Sequence, residues 1–437
     1  MEQEHLNKLF FNYRKLLATG VGLARPFVVF CGNNSSGINL KIQQLIMADY
    51  HKVMYETENE ISYHIAGYGQ SFEESLTRAM GETIERFSFM QMFSIVDESS
   101  LITGSYNELK KSYQIPDKIY FFPFNDLNKK FNSFCEDIKH QWLKVFNYST
   151  GNEFLYPLFL ISGNKDRNNL ILPILSTGTA VHIFPINALI NAQTEAIQID
   201  CFMKAWYSGM SLPQVEWKET VSQAFIKIFN ETFPKEKDFD IIVLNCSLGI
   251  EKFYNYITII KNNNGKIPFL AMGIQGGCNS EYALLCSMME AAAIYVNLQE
   301  VYLYRAKKIN SLKLNDLKNS YNLDDTFLYW GNYNDIKEKN MILNKLISDK
   351  KEIFTKTNKV NSKEEFHILF STLKRMTNYL SFLDITPPEL IKYGYRAVRV
   401  LAPELLPICM PAIPFERHPF FTEQGGVKND SFPHPLP

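Results

Sequence analysis

Apolar and polar positions along the chain set out three helices that carry the rest of the reading. Over 69–92, Leu76, Met80, Ile84 and Phe87 recur at helical spacing on one face. Over 187–207, Ala188, Ala192, Glu195, Ile199, Phe202 and Trp206 follow spacings of 4, 3, 4, 3 and 4. A third helix is predicted over 281–304 and is apolar nearly all round. Residues 238–246 and 266–272 read as buried strands, and a Gly-rich turn at 276–279 leads into the third helix. Residues 153–175 alternate short apolar runs with a polar turn at 164–169, which reads as a hairpin, and 397–401 reads as a further strand. The first 55 residues are short apolar runs punctuated by Gly-rich turns at 20–24 and 32–37. From about 305 to 365 the texture shifts to Lys, Asn, Asp and Ile, which predicts surface helices and loops inserted into the main fold. Strands and helices alternate without the strict period of a doubly wound sheet, so the class is α/β or α+β.

A chain of 437 residues allows about three domains, or one large one with insertions. Its 45 basic and 46 acidic residues leave a net charge of -1, which argues against coating nucleic acid or an anionic membrane by bulk charge. Asp324, Asp325 and Glu338 break up the Lys-rich stretch, so no single-sign field builds there. With 46% hydrophobic and 21% charged residues the composition is that of a globular protein. The N-terminus lacks a basic region followed by an apolar one, so no signal peptide is read. The densest apolar stretch, Tyr282 to Leu298, is interrupted by Ser287, Glu290 and Asn297, so no membrane span is read and a cytoplasmic protein is expected. Seven scattered cysteines without a CxxC fit reduced thiols rather than a disulfide framework or a zinc cluster.

The chain has no Walker-type phosphate loop, GxGxxG fingerprint, HExxH or GxSxG. What it offers is glutamates on the three helices. Glu82, Glu85, Arg78 and Arg86 share the face opposite the Leu76/Met80/Ile84/Phe87 stripe, an arrangement that suits a solvated face with helix-spaced ion pairs as well as a functional one. Glu195 lies inside an apolar stripe with Gln198 beside it, and Glu290 is the only charge between Tyr282 and Leu298. A buried carboxylate must be neutralised by a proton, an Arg or a metal. Separated carboxylates without Cys or His suit a hard, oxygen-liking cation such as Mg2+, which completes its shell with water and substrate phosphate. The PxPxP end, 431–437, reads as a polyproline II arm, with Phe432 and Leu436 as docking side chains.

These segments resemble the YcaO family. The matching stretches are 67–87, with Gly-Glu-x-x-Glu-Arg at Gly81 to Arg86; 172–180 with the Glu195 helix; 276–284 with Glu290; 384–407; and the PxPxP end. The order runs from about residue 60 to the end. The resemblance implies sheets flanked by helices, with ATP and Mg2+ held between them by helix-borne glutamates. It implies an ATP-dependent cyclodehydratase that phosphorylates a backbone amide oxygen of a ribosomally made precursor peptide and turns Cys, Ser or Thr into thiazoline or oxazoline. Thioamidation, or a peptide-binding scaffold without turnover, is the alternative; the PxPxP end, typical of azoline-forming members such as the microcin D-protein type, favours cyclodehydration.

Carried over residue by residue, the resemblance assigns Ser75, Arg78, Glu82, Arg86, Glu195, Gln198 and Glu290 to nucleotide binding and Glu82, Glu85, Glu195 and Glu290 to the metal. Arg86 and the Pro437 carboxylate take catalytic roles. Arg78 stands where the family often has Ser, Ile199 where Arg is common, and Tyr295 or Tyr304 where the third helix often offers Arg; Arg305 is the substitute at hand. The domain reading is an N-terminal segment, 1–55, packing on a catalytic domain, 56–437, that carries the 305–365 insertion and the 431–437 arm. The partners implied are the precursor peptide, a separate leader-recognising protein, and a flavin dehydrogenase within a bacteriocin-type synthetase complex. An oligomer is expected, with no nucleic acid and no membrane.

Overall fold

Two glycines set how closely the site helices approach their sheets. A Cβ on Gly67 would stand 2.0 Å from the Ser75 carbonyl oxygen, and one on Gly273 would stand 2.3 Å from the Ala291 nitrogen. Only a residue without a side chain lets each strand lie directly under its helix. Gly67 belongs to β3 (Ile65–Gly69), which pairs antiparallel with β2 (Lys41–Met47), itself paired with β1 (Ala24–Cys31). The computed structural model describes residues 15–17, 22–31, 37–48, 65–121, 135–162, 175–262, 265–320, 322–412, 415–429 and 432–437.

α1 (Phe72–Ile95) follows β3 directly; the Ser71 side chain accepts the Glu74 N–H as N-cap, and Glu73 and Glu74 complement the positive end of the helix. A second antiparallel sheet holds β4 (Leu101–Ser105), β5 (Lys139–Phe146) and β6 (Glu153–Pro157) in that order. β7 (Thr179–His182) then leads into α2 (Pro185–Tyr207). The largest sheet follows: β8 (Leu212–Glu216), α3 (Gln223–Thr232), β9 (Phe239–Asn245), β10 (Tyr254–Asn262) and β11 (Leu270–Gly277), ending at α4 (Ser280–Ser311), whose N-cap Asn279 accepts the Tyr282 N–H. α4 runs past the predicted 281–304, with a kink at Arg305 (φ -127, ψ 27). After α5 (Leu323–Gly331) and α6 (Ile336–Leu346), β12 (Ile347–Ile353) joins that sheet parallel to β8, giving the order β11-β10-β9-β8-β12. α7 (Ser362–Met376) precedes β13 (Ser381–Asp384) and β14 (Arg396–Leu401), which pair antiparallel with each other, β14 also with β7.

The turn and second arm of the hairpin predicted over 153–175 lie outside the described residues; β6 pairs with β5 and is followed by a helical turn, Leu158–Ser162. Two sequence expectations are corrected. The strand expected at 266–272 lies further along, and its last residues, Gly276 and Gly277, are part of what read as a turn. The 305–365 stretch is not a solvated periphery. Phe327, Leu328, Tyr329 and Trp330 are buried, and its strand is a member of the largest sheet. Even Lys339 is fully buried, donating to the Tyr329 carbonyl and, at 2.9 and 3.0 Å, to the Asn332 carbonyl and side-chain oxygen.

The C-terminal arm docks. Trp206 Nε1 donates to the Phe432 carbonyl and Trp330 Nε1 to the Pro433 carbonyl, each at 2.9 Å, and Thr326 Oγ1 donates to the Leu436 carbonyl at 3.0 Å. Side chains thus satisfy the carbonyls that a proline-rich strand cannot place in a sheet. Residues 432–436 are buried and Pro437 is exposed. No helix among the described residues is long and apolar enough to cross a membrane.

Candidate active site

Two sheet edges meet the glutamate-bearing helices. β11 lies at one edge of its sheet, with outward backbone groups in need of partners. Glu290 Oε2 of α4 accepts the Ile274 N–H at 2.6 Å, and Gln198 Nε2 of α2 donates to the Ile274 carbonyl at 3.3 Å. Gln198 Oε1 also accepts the Gly276 N–H at 2.7 Å. At the other edge, just before β7, Glu195 Oε2 accepts the Gly178 N–H at 3.1 Å. The two carboxylates are pinned by backbone, one oxygen each.

Both reach solvent where their neighbours do not. From Ala192 to Met203 every residue of α2 except Glu195 is buried, and from Cys286 to Leu298 every residue of α4 except Glu290 is buried. A cleft therefore opens onto these two side chains. Facing it, α1 contributes Glu82, Glu85 and Arg86, with side chains 32%, 21% and 29% exposed. Arg86 Nη2 donates to Glu82 Oε1 at 2.9 Å, and Nη1 lies 3.8 Å from Glu85 Oε1 and donates to the Ser176 hydroxyl. Ser176 was not singled out by sequence; its place two residues before Gly178, inside the family-like segment 172–180, was the available signal.

The acids sense one another. Burial pushes Glu195 up to about 7, against the pull of Arg86 and the Gly178 N–H, and Glu82 raises it further. Burial raises Glu290 to about 8, opposed by the Ile274 N–H, with Glu82 and Glu195 adding to the rise. Glu85 is held well above the usual carboxylate range by burial, with Arg86 opposing and Glu195 and Glu82 reinforcing. Burial works against the charge of Arg86, but Glu82, Glu85 and Glu195 outweigh it and the guanidinium is held more firmly charged. Arg78, the second cation of the face, pairs with Glu74 at 2.8 Å and lies 4.4 Å over the Tyr68 ring. Its Nη1 is buried without a partner among the described residues.

This donor set fits a phosphate-bound Mg2+. Four converging carboxylates face two cations, Arg78 and Arg86, so carboxyl groups outnumber cations, and the raised proton affinities of Glu85, Glu195 and Glu290 mark oxygens that a cation would stabilise. Among the described residues no three such groups stand close enough to close a metal shell by themselves. The four-glutamate metal assignment is therefore not a preformed protein cage. Mg2+ ordinarily takes only one or two carboxylates and keeps water and phosphate for the rest.

Other expected site residues are placed differently. Ser75 is fully buried; its hydroxyl accepts from Gln43 Nε2 at 3.0 Å and donates to the Phe72 carbonyl at 2.9 Å, which leaves no face for a nucleotide. Gln198 ties α2 to β11 with both ends of its amide, so it supports the cleft. Ile199 and Tyr295 are core residues, the latter accepting from Asn262 Nδ2 at 2.8 Å. Tyr304 and Arg305 are exposed near the α4 kink, and fifteen residues at about 1.5 Å each put Arg305 roughly 22 Å along the helix from Glu290, too far to substitute for a site arginine.

The chain belongs to the YcaO family: the model described as YcaO cyclodehydratase, ATP- and Mg2+-binding, matches residues 66–406. Among solved structures it is similar to a heterocyclase in complex with substrate and cofactor (TM-score 0.72, 14% identity, 98% of this chain), of which it spans 57% of the length. It is also similar to the E. coli microcin synthetase McbBCD complex with pro-MccB17 bound (TM-score 0.64, 15% identity, 94% of this chain and 96% of that one). A third likeness is to YcaO from Methanopyrus kandleri bound with AMPPCP and Mg2+ (TM-score 0.59, 12% identity, 93% and 91%). At these identities the likeness is one of fold. No curated protein sequence matches the chain significantly.

Proposed function

We propose that the protein is an ATP-dependent peptide cyclodehydratase. The observation that carries this reading is the cleft where Glu82, Glu85, Glu195 and Glu290, from three helices, share one electrostatic field in a chain of the YcaO family. A Cys, Ser or Thr side chain attacks the preceding carbonyl carbon and loses its proton. The carbonyl oxygen takes the γ-phosphoryl group of ATP. The amide proton leaves, the C=N bond of the azoline forms, and phosphate departs with the oxygen.

Mg2+ in this cleft would offset phosphate charge during the transfer. Glu195 and Glu290 would hold it, each fixed by one backbone N–H so that one oxygen stays available. Glu82 and Glu85 complete the acidic wall and keep Arg86 charged and aimed. Arg86, bridging to Ser176, supplies a positive charge beside the transferred group. Pro437, exposed at the end of the docked arm, is assigned the positioning of the peptide. The precursor is presented by a separate leader-recognising protein, in the cytoplasm, within a bacteriocin-type synthetase that also carries a flavin dehydrogenase.

The test is phosphate release. Turnover of ATP should rise several-fold when a Cys-containing precursor and its recognition protein are both present. Release that ignores the peptide would count against this reading.

A further inference from the structure

The segment leading into β7 is held at one residue after another. The Val400 N–H donates to the Gly178 carbonyl at 2.8 Å, the Ile408 N–H donates to the Thr177 hydroxyl at 3.1 Å, and the Thr179 N–H closes a turn onto the Ser176 carbonyl at 2.9 Å. The Leu175 end is held by a different kind of group. Arg399 of β14, opposite Thr179 in the strand register, donates from Nη2 to the Leu175 carbonyl at 3.0 Å and from Nη1 to the Ile161 carbonyl at 2.9 Å, with the Leu160 carbonyl 3.4 Å from Nη2. Ile161 stands in the helical turn Leu158–Ser162, whose last carbonyls have no partner within the turn. The same guanidinium lies 5.0 Å from the centre of the Phe89 ring on α1, one turn beyond Glu85. One side chain thus ties together the helical turn, the segment of Ser176 and the site end of α1.

Arg399 is 6% exposed, and burial pulls its proton affinity down to about 10, so it remains a cation near neutral pH. Its partners are carbonyls, and the orientation that serves them leaves its Nε without a partner among the described residues. A buried guanidinium without a carboxylate is costly, and an apolar side chain of similar volume would serve packing better. What only a rigid fork supplies is a grip on two carbonyls of separate segments at once. That grip reaches the site through covalent geometry. The Leu175 carbonyl and the nitrogen and Cα of Ser176 share one peptide plane, so fixing the oxygen sets the direction in which the Ser176 side chain leaves the backbone. The Ser176 hydroxyl accepts from Nη1 of Arg86, the guanidinium that also meets Glu82 and Glu85.

We propose that Arg399 is a positioning residue for phosphoryl transfer: by clamping the Leu175 carbonyl it keeps Ser176, and through Ser176 the Arg86 guanidinium, aimed into the cleft. This rests on the cyclodehydratase reading, in which Arg86 supplies positive charge beside the transferred group. Arg399 itself takes no part in the bond changes. Its effect passes through Ser176 rather than through Gly178 and Glu195, because the Thr177–Gly178 stretch has its own holds on Ile408 and Val400.

The test is a double-mutant cycle of Arg399→Met and Ser176→Ala. kcat and KM for ATP are read by phosphate release from the full chain with Mg2+, a Cys-containing precursor and its recognition protein. Azoline formation is read by mass and folding by thermal unfolding. Arg399→Met should lower kcat on the order of 10- to 100-fold, the loss that a small misplacement of a site group brings. KM for ATP should stay within about threefold, because the aim of Arg86 matters most in the transition state. Ser176→Ala should show a similar loss. Arg399→Lys keeps the charge and can hold one of the two carbonyls, so it should recover part of what Met loses. In the Ser176→Ala background Arg399→Met should cost no more than about a further twofold, since the link it acts through is already gone. A normal kcat in Arg399→Met, losses that multiply in the double variant, or a lower Tm as the only change overturns the proposal. If Arg399→Met does not fold, Arg399→Lys takes its place in the cycle and must show a smaller loss that likewise vanishes with Ser176→Ala. Coupling without ring formation removes the reaction and keeps the clamp; ring formation with independent losses removes the clamp and keeps the reaction; a chain that releases no phosphate loses both.

Discussion

Glu195 Oε2 and the Gly178 backbone N–H stand 3.1 Å apart, and this contact fixes a half-buried carboxylate whose charged form burial disfavours. The amide of Glu195→Gln accepts the same hydrogen bond but brings no charge. ATP turnover should fall roughly 100-fold or more, the order lost when one element of charge stabilisation is removed. The protein should stay folded, with Tm unchanged or higher, because a costly charge is gone. Phosphate release together with thermal unfolding checks both halves. Normal turnover, or outright unfolding, would remove Glu195 from the site.

pH should act through the same acids. Glu195 and Glu290 rise from ordinary carboxylate values to about 7 and about 8 in the folded chain. Between roughly pH 4.5 and 8 the folded state thus binds more protons than the unfolded one. Without metal, stability should fall as pH rises through that window. Mg2+ and nucleotide compete with those protons, so the stabilisation they give should grow over the same interval. Thermal unfolding from pH 5.5 to 8.5, with and without Mg2+ and an ATP analogue, reads both trends. A metal effect that is flat with pH would separate these carboxylates from the ion.

Arg86 touches Glu82, Glu85 and Ser176 at once. Replacing it with Met leaves the acidic wall uncompensated. Because the side chains are partly exposed, the loss should be at the low end for a broken buried pair, roughly 3 kcal/mol. Added Mg2+ should restore part of it. Urea unfolding with and without Mg2+ checks this; a Met variant as stable as the parent would contradict the described ion pairs.

The docked arm should be part of the folded unit. Trp206→Phe or Trp330→Phe strands a buried carbonyl of Phe432 or Pro433 and should cost about 1–3 kcal/mol each. Removing residues 432–437 should cost more than either, since it also uncovers the faces that bury Phe432 and Leu436. Denaturant midpoints measure these costs, and a truncation without effect would show the arm to be idle.

Helix periodicity made the site elements legible, because the carboxylates interrupt otherwise apolar faces: Glu290 stands out within Tyr282–Leu298 on sequence alone. What spacing could not show is how close the layers come. Gly273 matters because of the Ala291 backbone against it, a contact between a strand and the following helix that no local pattern encodes. Gly273→Ala should push α4 and Glu290 outward, lowering nucleotide affinity together with stability, which calorimetry would read directly. Composition misled over 305–365, where Lys and Asn surround a buried Phe327 to Trp330 run and the lysine at 339 serves as an internal hydrogen-bond donor. Burial of that ammonium pulls its proton affinity down to about 7, a placement that average composition argues against. Arg399 escaped notice for a related reason: within a strand of apolar residues its role depends on carbonyls more than two hundred residues away.

The most direct measurement is the intact mass of a Cys-, Ser- and Thr-containing precursor peptide after incubation with this protein, its leader-recognising partner, Mg2+ and ATP. The loss of one water per modified residue, dependent on ATP and abolished in Glu195→Gln, is the expected result. An unchanged mass while the peptide is shown to be bound, or an exchange of oxygen for sulfur that appears only when sulfide is added, would contradict cyclodehydration.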